Sequence, residues 1–208
     1  MSALKIYFSF RSPYAWLGCY RFASVAGKLD MEYELIPVSP PRKKLEEITP
    51  VGSKMEYIRE DASRIARAYG LEYRRPEPFD CDWSVPHAAF LAAAEAGKAL
   101  DFALGMFNCR FCEGRDISGT DVIESVSKLC GLDPDEIMQS VPDRKHRRRL
   151  LEILSRLDEE GIFGVPTFVY GEQRFWGNDR LEWCIREIYR DAGKEVPDLT
   201  SDLLARPF

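Results

Sequence analysis

No uninterrupted run of 18 apolar residues occurs in the chain, so nothing in it reads as a membrane-spanning helix. Histidine is scarce. His87 and His146 are the only two, and with no second C-x-x-C and no H-x₃-H they complete no zinc site around Cys109 and Cys112. Charge of one sign is not in excess either: 29 Lys and Arg stand against 34 Asp and Glu, a net −5, which gives no reason to expect nucleic acid. The start, Met1-Ser2-Ala3-Leu4-Lys5, lacks the apolar core of a signal peptide and passes straight into strand character. These absences lead to the expectation of a soluble, cytoplasmic protein with no membrane partner, no nucleic acid and no metal.

The composition that remains is that of a globular protein, 45% hydrophobic and 30% charged over 208 residues. That length suits one substantial domain, or a small domain carrying a large insertion. The six cysteines, at 19, 81, 109, 112, 130 and 184, fall at irregular spacings and read as reduced thiols. Cys19 and Cys184 lie beside apolar neighbours in helical patterns and read as packing residues. Cys109-Arg110-Phe111-Cys112 spells C-x-x-C, but no strand precedes it, which argues against a redox or metal role.

Residues 4–9 read as a strand and 13–27 as a helix with Trp16, Cys19, Tyr20 and Ala23 on its apolar stripe, ended by Gly27. Residues 31–38 alternate Met31, Tyr33 and Leu35 with Glu32 and Glu34, which predicts a second strand, parallel to the first if the helix is the crossover. From Ser39 a Pro- and charge-rich connection opens about a hundred residues of helical period. Helices are expected near 55–69, 86–97, 99–112, 119–130 (Val122, Ile123, Val126, Leu129) and 133–140. A long helix then carries Leu150, Leu151, Leu154 and Leu157 on one face, with its basic cluster solvated. A hairpin follows, 166–170 and 173–176 about a Gly171-Glu172 turn, and a closing helix is capped near Asn178 or Asp179. Splicing out the helical stretch leaves β-α-β-α-β-β-α, a thioredoxin fold of the α/β class with a large all-helical insertion. The expected division is 1–39 with 147–208 as a discontinuous thioredoxin-like domain and 40–146 as the insertion.

The working end of that arrangement is the start of the first helix. There the sequence reads Ser12-Pro13-Tyr14-Ala15, with Ser12 as N-cap and Pro13 at the first helical position, where its missing N–H costs nothing. A thioredoxin-type oxidoreductase has C-x-x-C at this place, because a helix N-terminus stabilises a thiolate. Here no cysteine is available, so a hydroxyl sits where an anion is favoured.

Three stretches together, "FSFRSPYAWLG" at the start, "EGRDIS" at 113–118 and "GIFGVPTFVYGEQRFWGNDRLEW" near the end, resemble the 2-hydroxychromene-2-carboxylate isomerases and the kappa-class glutathione transferases, thioredoxin domains with a DsbA-like helical insertion. The resemblance implies glutathione as cofactor, its thiolate accepting a hydrogen bond from Ser12 as the catalytic residue. It implies that Val165 and Pro166 form a cis corner offering backbone groups to the cysteinyl part, and that Asn178 and Asp179 meet the γ-glutamyl end. Plain capping is the alternative role for Asn178 and Asp179. Gly52-Ser53-Lys54 stands where the family carries an asparagine-bearing loop and a lysine, so Ser53 and Lys54 are further cofactor-binding candidates, with a solvated Lys54 as the alternative. Arg11, Tyr14 and Trp176 are the substrate-pocket candidates; as a strand aromatic, Trp176 equally fits the core. The implied activity is glutathione-dependent cis–trans isomerisation of a conjugated small molecule from aromatic degradation, by a homodimer. The alternatives are a kappa-like glutathione transferase and, from another class, a non-catalytic thiol-binding module.

Because Cys109 and Cys112 fall in the insertion rather than at the thioredoxin position, replacing both with Ala is expected to leave glutathione-dependent activity largely intact. A collapse of turnover, or stoichiometric zinc in the wild type by metal analysis, would overturn that assignment.

Overall fold

In the computed structural model, residues 3–39 and 52–196 are described; the connection expected from Ser39 lies outside them for residues 40–51. The chain begins with β1 (Leu4–Phe8), α1 (Pro13–Ala26) and β2 (Tyr33–Pro37). It continues through α2 (Ser53–Ala68), α3 (Ser84–Glu95), α4 (Ala99–Phe111), α5 (Thr120–Leu129) and α6 (Pro134–Ser140). Then come α7 (Arg144–Arg156), the hairpin β3 (Thr167–Tyr170) and β4 (Gln173–Trp176), a 3₁₀ turn at Asn178–Arg180 and α8 (Leu181–Asp191). The four strands form one sheet in the order β2-β1-β3-β4. β1 and β2 run parallel, with Ile6 opposite Leu35, as a crossover through α1 requires; β3 is antiparallel to both β1 and β4. This is the expected thioredoxin-like sheet with a large helical insertion.

The two faces of the sheet are covered unequally. Leu4, Ile6 and Phe8 alternate along β1 into the main core, which also takes in Trp16, Cys19 and Phe22 of α1, Cys184 and Ile185 of α8, and the insertion's Phe90, Phe102 and Phe107. On the opposite face Tyr7 joins Ile36, Val38, Ile153 and Ile162 in a smaller core under α7. Since β1 is buried on both sides, its sequence is a nearly continuous apolar run. The insertion is held to the sheet by aromatic rings. Phe8 packs edge-on against Phe10 at 5.2 Å and Phe90 at 4.9 Å, Phe10 against Phe107 at 5.0 Å, and Trp16 stacks on Phe111 at 5.3 Å. Each such buried ring removes enough apolar surface for about 1.5–3 kcal/mol.

Three sequence expectations need correction. The alternation read in β2 does not describe its burial: Tyr33 and Glu34 are exposed while Leu35, Ile36 and Pro37 are all buried, because the strand's second half runs between both cores. Leu129, placed on the α5 stripe, is 77% exposed; the helix ends there and Cys130, in the capping position, takes the buried place. On α7 the buried residues are His146, Leu150 and Ile153, at i, i+4 and i+7, which turns Leu151 out to 60% exposure.

Gly18 sets how closely α1 approaches the β3 corner. A Cβ there would lie 3.0 Å from Pro166 Cγ and 3.3 Å from its Cβ, and a proline ring yields little. Gly18→Val is therefore expected to lower stability by about 1–3 kcal/mol through overpacking, measured by urea unfolding. An unchanged midpoint would show that the corner can retreat.

Candidate functional site

The site is assembled at the start of α1. Leaving β1, the chain makes a tight turn in which the Ser12 N–H donates to the Ser9 carbonyl at 3.0 Å. Ser12 then takes an extended conformation (φ −91°, ψ 118°), its Oγ accepts the Ala15 N–H at 3.1 Å, and Pro13 begins the helix. No acidic residue stands in the first turn, so the positive end of the helix dipole is not neutralised by the helix itself.

Opposite this turn lies the β3 corner. The Val165–Pro166 peptide is cis, and the Ser12 hydroxyl donates to the Val165 carbonyl over a long 3.4 Å. The Val165 N–H makes no hydrogen bond among the described residues. The Pro166 carbonyl accepts from Gly177 N–H at 2.9 Å, tying the corner to the end of β4. Gly164 is needed just before the corner, because a Cβ there would sit 2.5 Å from the Trp176 indole nitrogen. Trp176 lies over that backbone, 54% exposed, edge-on to Phe163 at 4.9 Å.

Beyond β4, Asn178 is buried and its carbonyl accepts from the Arg21 guanidinium, which also pairs with Glu182. Burial lowers the Arg21 pKa. Asp179 is exposed and pairs with Arg180 at 3.1 Å, a surface contact of small energetic consequence. Ser53 and Lys54 are exposed in the first turn of α2, after Gly52 at φ +58°, and no hydrogen bond or ion pair joins them to the Ser12 turn among the described residues.

The other two pocket candidates are engaged by the insertion. The Tyr14 hydroxyl donates to Asp61 at 2.9 Å; partial burial, with Asp61 adding to it, raises the Tyr14 pKa. Arg11 donates to both carboxylate oxygens of Asp80, at 2.7 and 3.3 Å, with its guanidinium 5.0 Å from the Phe79 ring centroid. Asp80 also accepts the Trp83 indole N–H at 3.2 Å. Its partial burial opposes ionisation, but these donors outweigh that and bring its pKa below the usual value.

Two residues of this neighbourhood carried no functional signal in sequence. Arg110 of α4 is fully buried; it donates to the Phe79 carbonyl at 2.6 Å and lies 4.6 Å from the Trp83 ring centroid, while its Nε and Nη1 have no hydrogen-bond partner among the described residues. Burial lowers its pKa to about 10, which leaves it charged at neutral pH. His87 of α3 is likewise fully buried, its Nδ1 2.6 Å from the Trp83 carbonyl and its Nε2 3.4 Å from the Phe10 N–H. His87 follows Trp83 by one helical turn, which sets its ring nitrogen against a backbone carbonyl that any residue at 83 would supply, so the sequence carries no signal for it.

The described residues contain no cluster of His, Cys, Asp and Glu able to hold a metal ion. All six cysteines are free. Burial pushes the thiols of Cys19 and Cys184 up to about 12 and those of Cys81, Cys109 and Cys112 up to about 11.

Residues 3–188 match the DSBA-like thioredoxin domain family, and the chain belongs to that family. It is 25% identical over 190 residues to a 2-hydroxychromene-2-carboxylate isomerase of Sphingobium xenophagum, covering 86% of this chain and 94% of the relative. To the isomerase of the same name from Pseudomonas putida it is 26% identical over 184 residues, covering 86% and 90%. A solved 2-hydroxychromene-2-carboxylate isomerase structure superposes with a TM-score of 0.79 at 22% identity, over 92% of this chain and 98% of that one.

The His87 environment has a measurable consequence. Burial first, and the charge of Arg110 in addition, lower its pKa from 6.5 to about 4, against the opposing hydrogen bond to Trp83. The unfolded chain therefore takes up the proton first as pH falls. The stability contributed by neutral His87 is complete above about 6.5, declines between 6.5 and 4, and levels off below 4. The expected loss is about 3 kcal/mol across that window, read by urea unfolding at each pH, with a shallower slope for His87→Gln. Equal slopes would place the acid sensitivity elsewhere.

Proposed function

We propose that this DSBA-like thioredoxin domain protein binds glutathione at the start of α1 and is a glutathione-dependent cis–trans isomerase acting on a conjugated small molecule derived from an aromatic compound. The observation that carries the reading is Ser12: a half-buried hydroxyl at the N-cap of the first helix, facing the Val165–Pro166 corner, where a thioredoxin-type oxidoreductase would present its own cysteine. The isomerase relatives, aligned over most of their length, support the same class.

The residues present fit such a cofactor. Among the described residues the Ser12 O–H is held only by the 3.4 Å contact to Val165, so it can turn toward a thiolate at little cost. The unneutralised helix N-terminus favours the anion, and two guanidinium groups lie nearby: Arg11, paired with Asp80, and the buried Arg110, which donates to the Phe79 carbonyl. Hydrogen bonding to the charged form, together with this positive surround, lowers a thiol pKa and raises the fraction ionised at neutral pH. When bound, glutathione would supply a nucleophilic thiolate that adds reversibly to a conjugated double bond and so permits rotation about it.

In this reading Val165 and Pro166 offer backbone groups to the cysteinyl portion, and the open Val165 N–H is a donor for it. Asn178 and Asp179 serve the γ-glutamyl end, the exposed Asp179 carboxylate meeting its ammonium group. Ser53 and Lys54, exposed on α2, take its other end. Arg11, Tyr14 and Trp176 border the substrate.

Retention on glutathione resin, a rise in melting temperature with millimolar glutathione, and the ultraviolet absorbance of bound thiolate test the reading directly. Ser12→Ala should lower the bound thiolate at neutral pH by about 10- to 100-fold, as the loss of a hydrogen bond to a charged group of about 1.5–3 kcal/mol implies. The same change should cost only about 1 kcal/mol of stability as a lost cap. Absence of both retention and thermal shift in the wild type would leave a thioredoxin-fold module of another purpose.

A further inference from the structure

The turn that presents Ser12 is held from the insertion at the two residues immediately before it. Phe10 N–H points at His87 Nε2, and Arg11 grips Asp80. Phe10 N–H has no other partner among the described residues, and His87 is fully buried, so neither group can exchange this contact for water.

The direction of the contact is fixed by the opposite side of the ring. A carbonyl can only accept, so the 2.6 Å approach to Trp83 oxygen requires the His87 proton on Nδ1. That leaves Nε2 with a lone pair, the form able to accept from Phe10. Trp83 is in turn held by its indole N–H on Asp80 and by the Arg110 guanidinium over its ring, and Arg110 also anchors the Phe79 carbonyl. Phe79, Asp80, Trp83 and His87 are therefore one connected unit on the insertion, with two attachments to the Ser12 turn.

We propose that His87 and Asp80 are positioning residues of the Ser12 site, through which the helical insertion sets where the Ser12 hydroxyl and the first N–H groups of α1 point. This rests on the glutathione reading for its chemical consequence, but the placement of the turn is measurable without any ligand. It gives the insertion a role in the chemistry beyond covering the sheet, because the two residues that lead into Ser12 both rest on it, Phe10 through His87 and Arg11 through Asp80.

Two isosteres separate the role from packing. Glutamine reaches the Nε2 position with an acceptor oxygen; asparagine reaches only the Nδ1 position and keeps the Trp83 contact while abandoning Phe10. His87→Gln is expected to retain wild-type amide exchange at residues 10–15 and bound thiolate within about twofold. His87→Asn, at comparable melting temperature, is expected to exchange those amides about tenfold faster and to bind about tenfold less thiolate at neutral pH. Asp80→Ala, at a half-exposed position, should speed exchange of the same amides in milder degree; because it also removes a negative charge near the anion, amide exchange is its readout.

Indistinguishable behaviour of the Gln and Asn variants, or wild-type exchange at residues 10–15 in both His87→Asn and Asp80→Ala, would overturn the inference. If the wild type bound no thiolate the glutathione reading would fall, and the exchange data alone would decide the positioning role.

Discussion

The first N–H groups of α1 have no partner within the helix, and no acidic side chain of its own first turn answers them. Around that imbalance the functional end of the molecule is organised. Ser12 satisfies one of these donors, that of Ala15, and Pro13 removes another by having none. What remains is a partial positive charge at the start of the helix, faced by the Val165–Pro166 corner. Gly18 allows that corner to come within van der Waals reach of the helix, so the distance between hydroxyl and corner is set by packing rather than by a flexible loop.

The insertion reinforces the imbalance instead of cancelling it. A buried donor left unpaired costs about 1–3 kcal/mol, and Arg110 has two such nitrogens without a hydrogen-bond partner among the described residues. The faces of Trp83, Phe111 and Phe79, at 4.6, 5.2 and 5.9 Å from its guanidinium carbon, offset part of that cost. They do so without supplying a negative charge. Asp80 is the nearby carboxylate, and Arg11 and Trp83 already occupy it. The buried Arg110 charge is thus held in surroundings that screen it less than water would.

The sheet, the crossover and the hairpin were legible in sequence because each rests on local rules: Ser12 and Pro13 at a helix start, Gly27 at its end, Gly171 in a two-residue turn. Whatever depends on which face a neighbour covers was not legible. The outward turn of Leu129 and Leu151, and the burial of three consecutive residues in β2, follow from where the insertion and α7 happen to lie. The site divides in the same way. Ser12 could be singled out as a candidate because a strand end and a helix cap are written in neighbouring residues, whereas Val165 and Pro166 became candidates only through the family resemblance. His87, Asp80 and Arg110 reach the site across 77, 69 and 31 residues to Phe10, Arg11 and Phe79 respectively, and a lone histidine in an alanine-rich helix reads as core.

The distribution of thiols carries the argument one step further. Burial raises the pKa of Cys19 and Cys184 to about 12 and that of Cys81, Cys109 and Cys112 to about 11, values at which almost none is ionised at neutral pH. The start of α1, where a thioredoxin-type oxidoreductase presents a cysteine, holds a serine. A serine hydroxyl stays neutral at that pH, so it leaves the positive end of the helix uncompensated and has a proton to donate. A cysteine in the same position would ionise and spend that field on itself. The chain thus keeps its own sulfur where it is unreactive and its anion-stabilising position free of intrinsic charge, the combination a site needs if its nucleophile is to arrive with a small molecule.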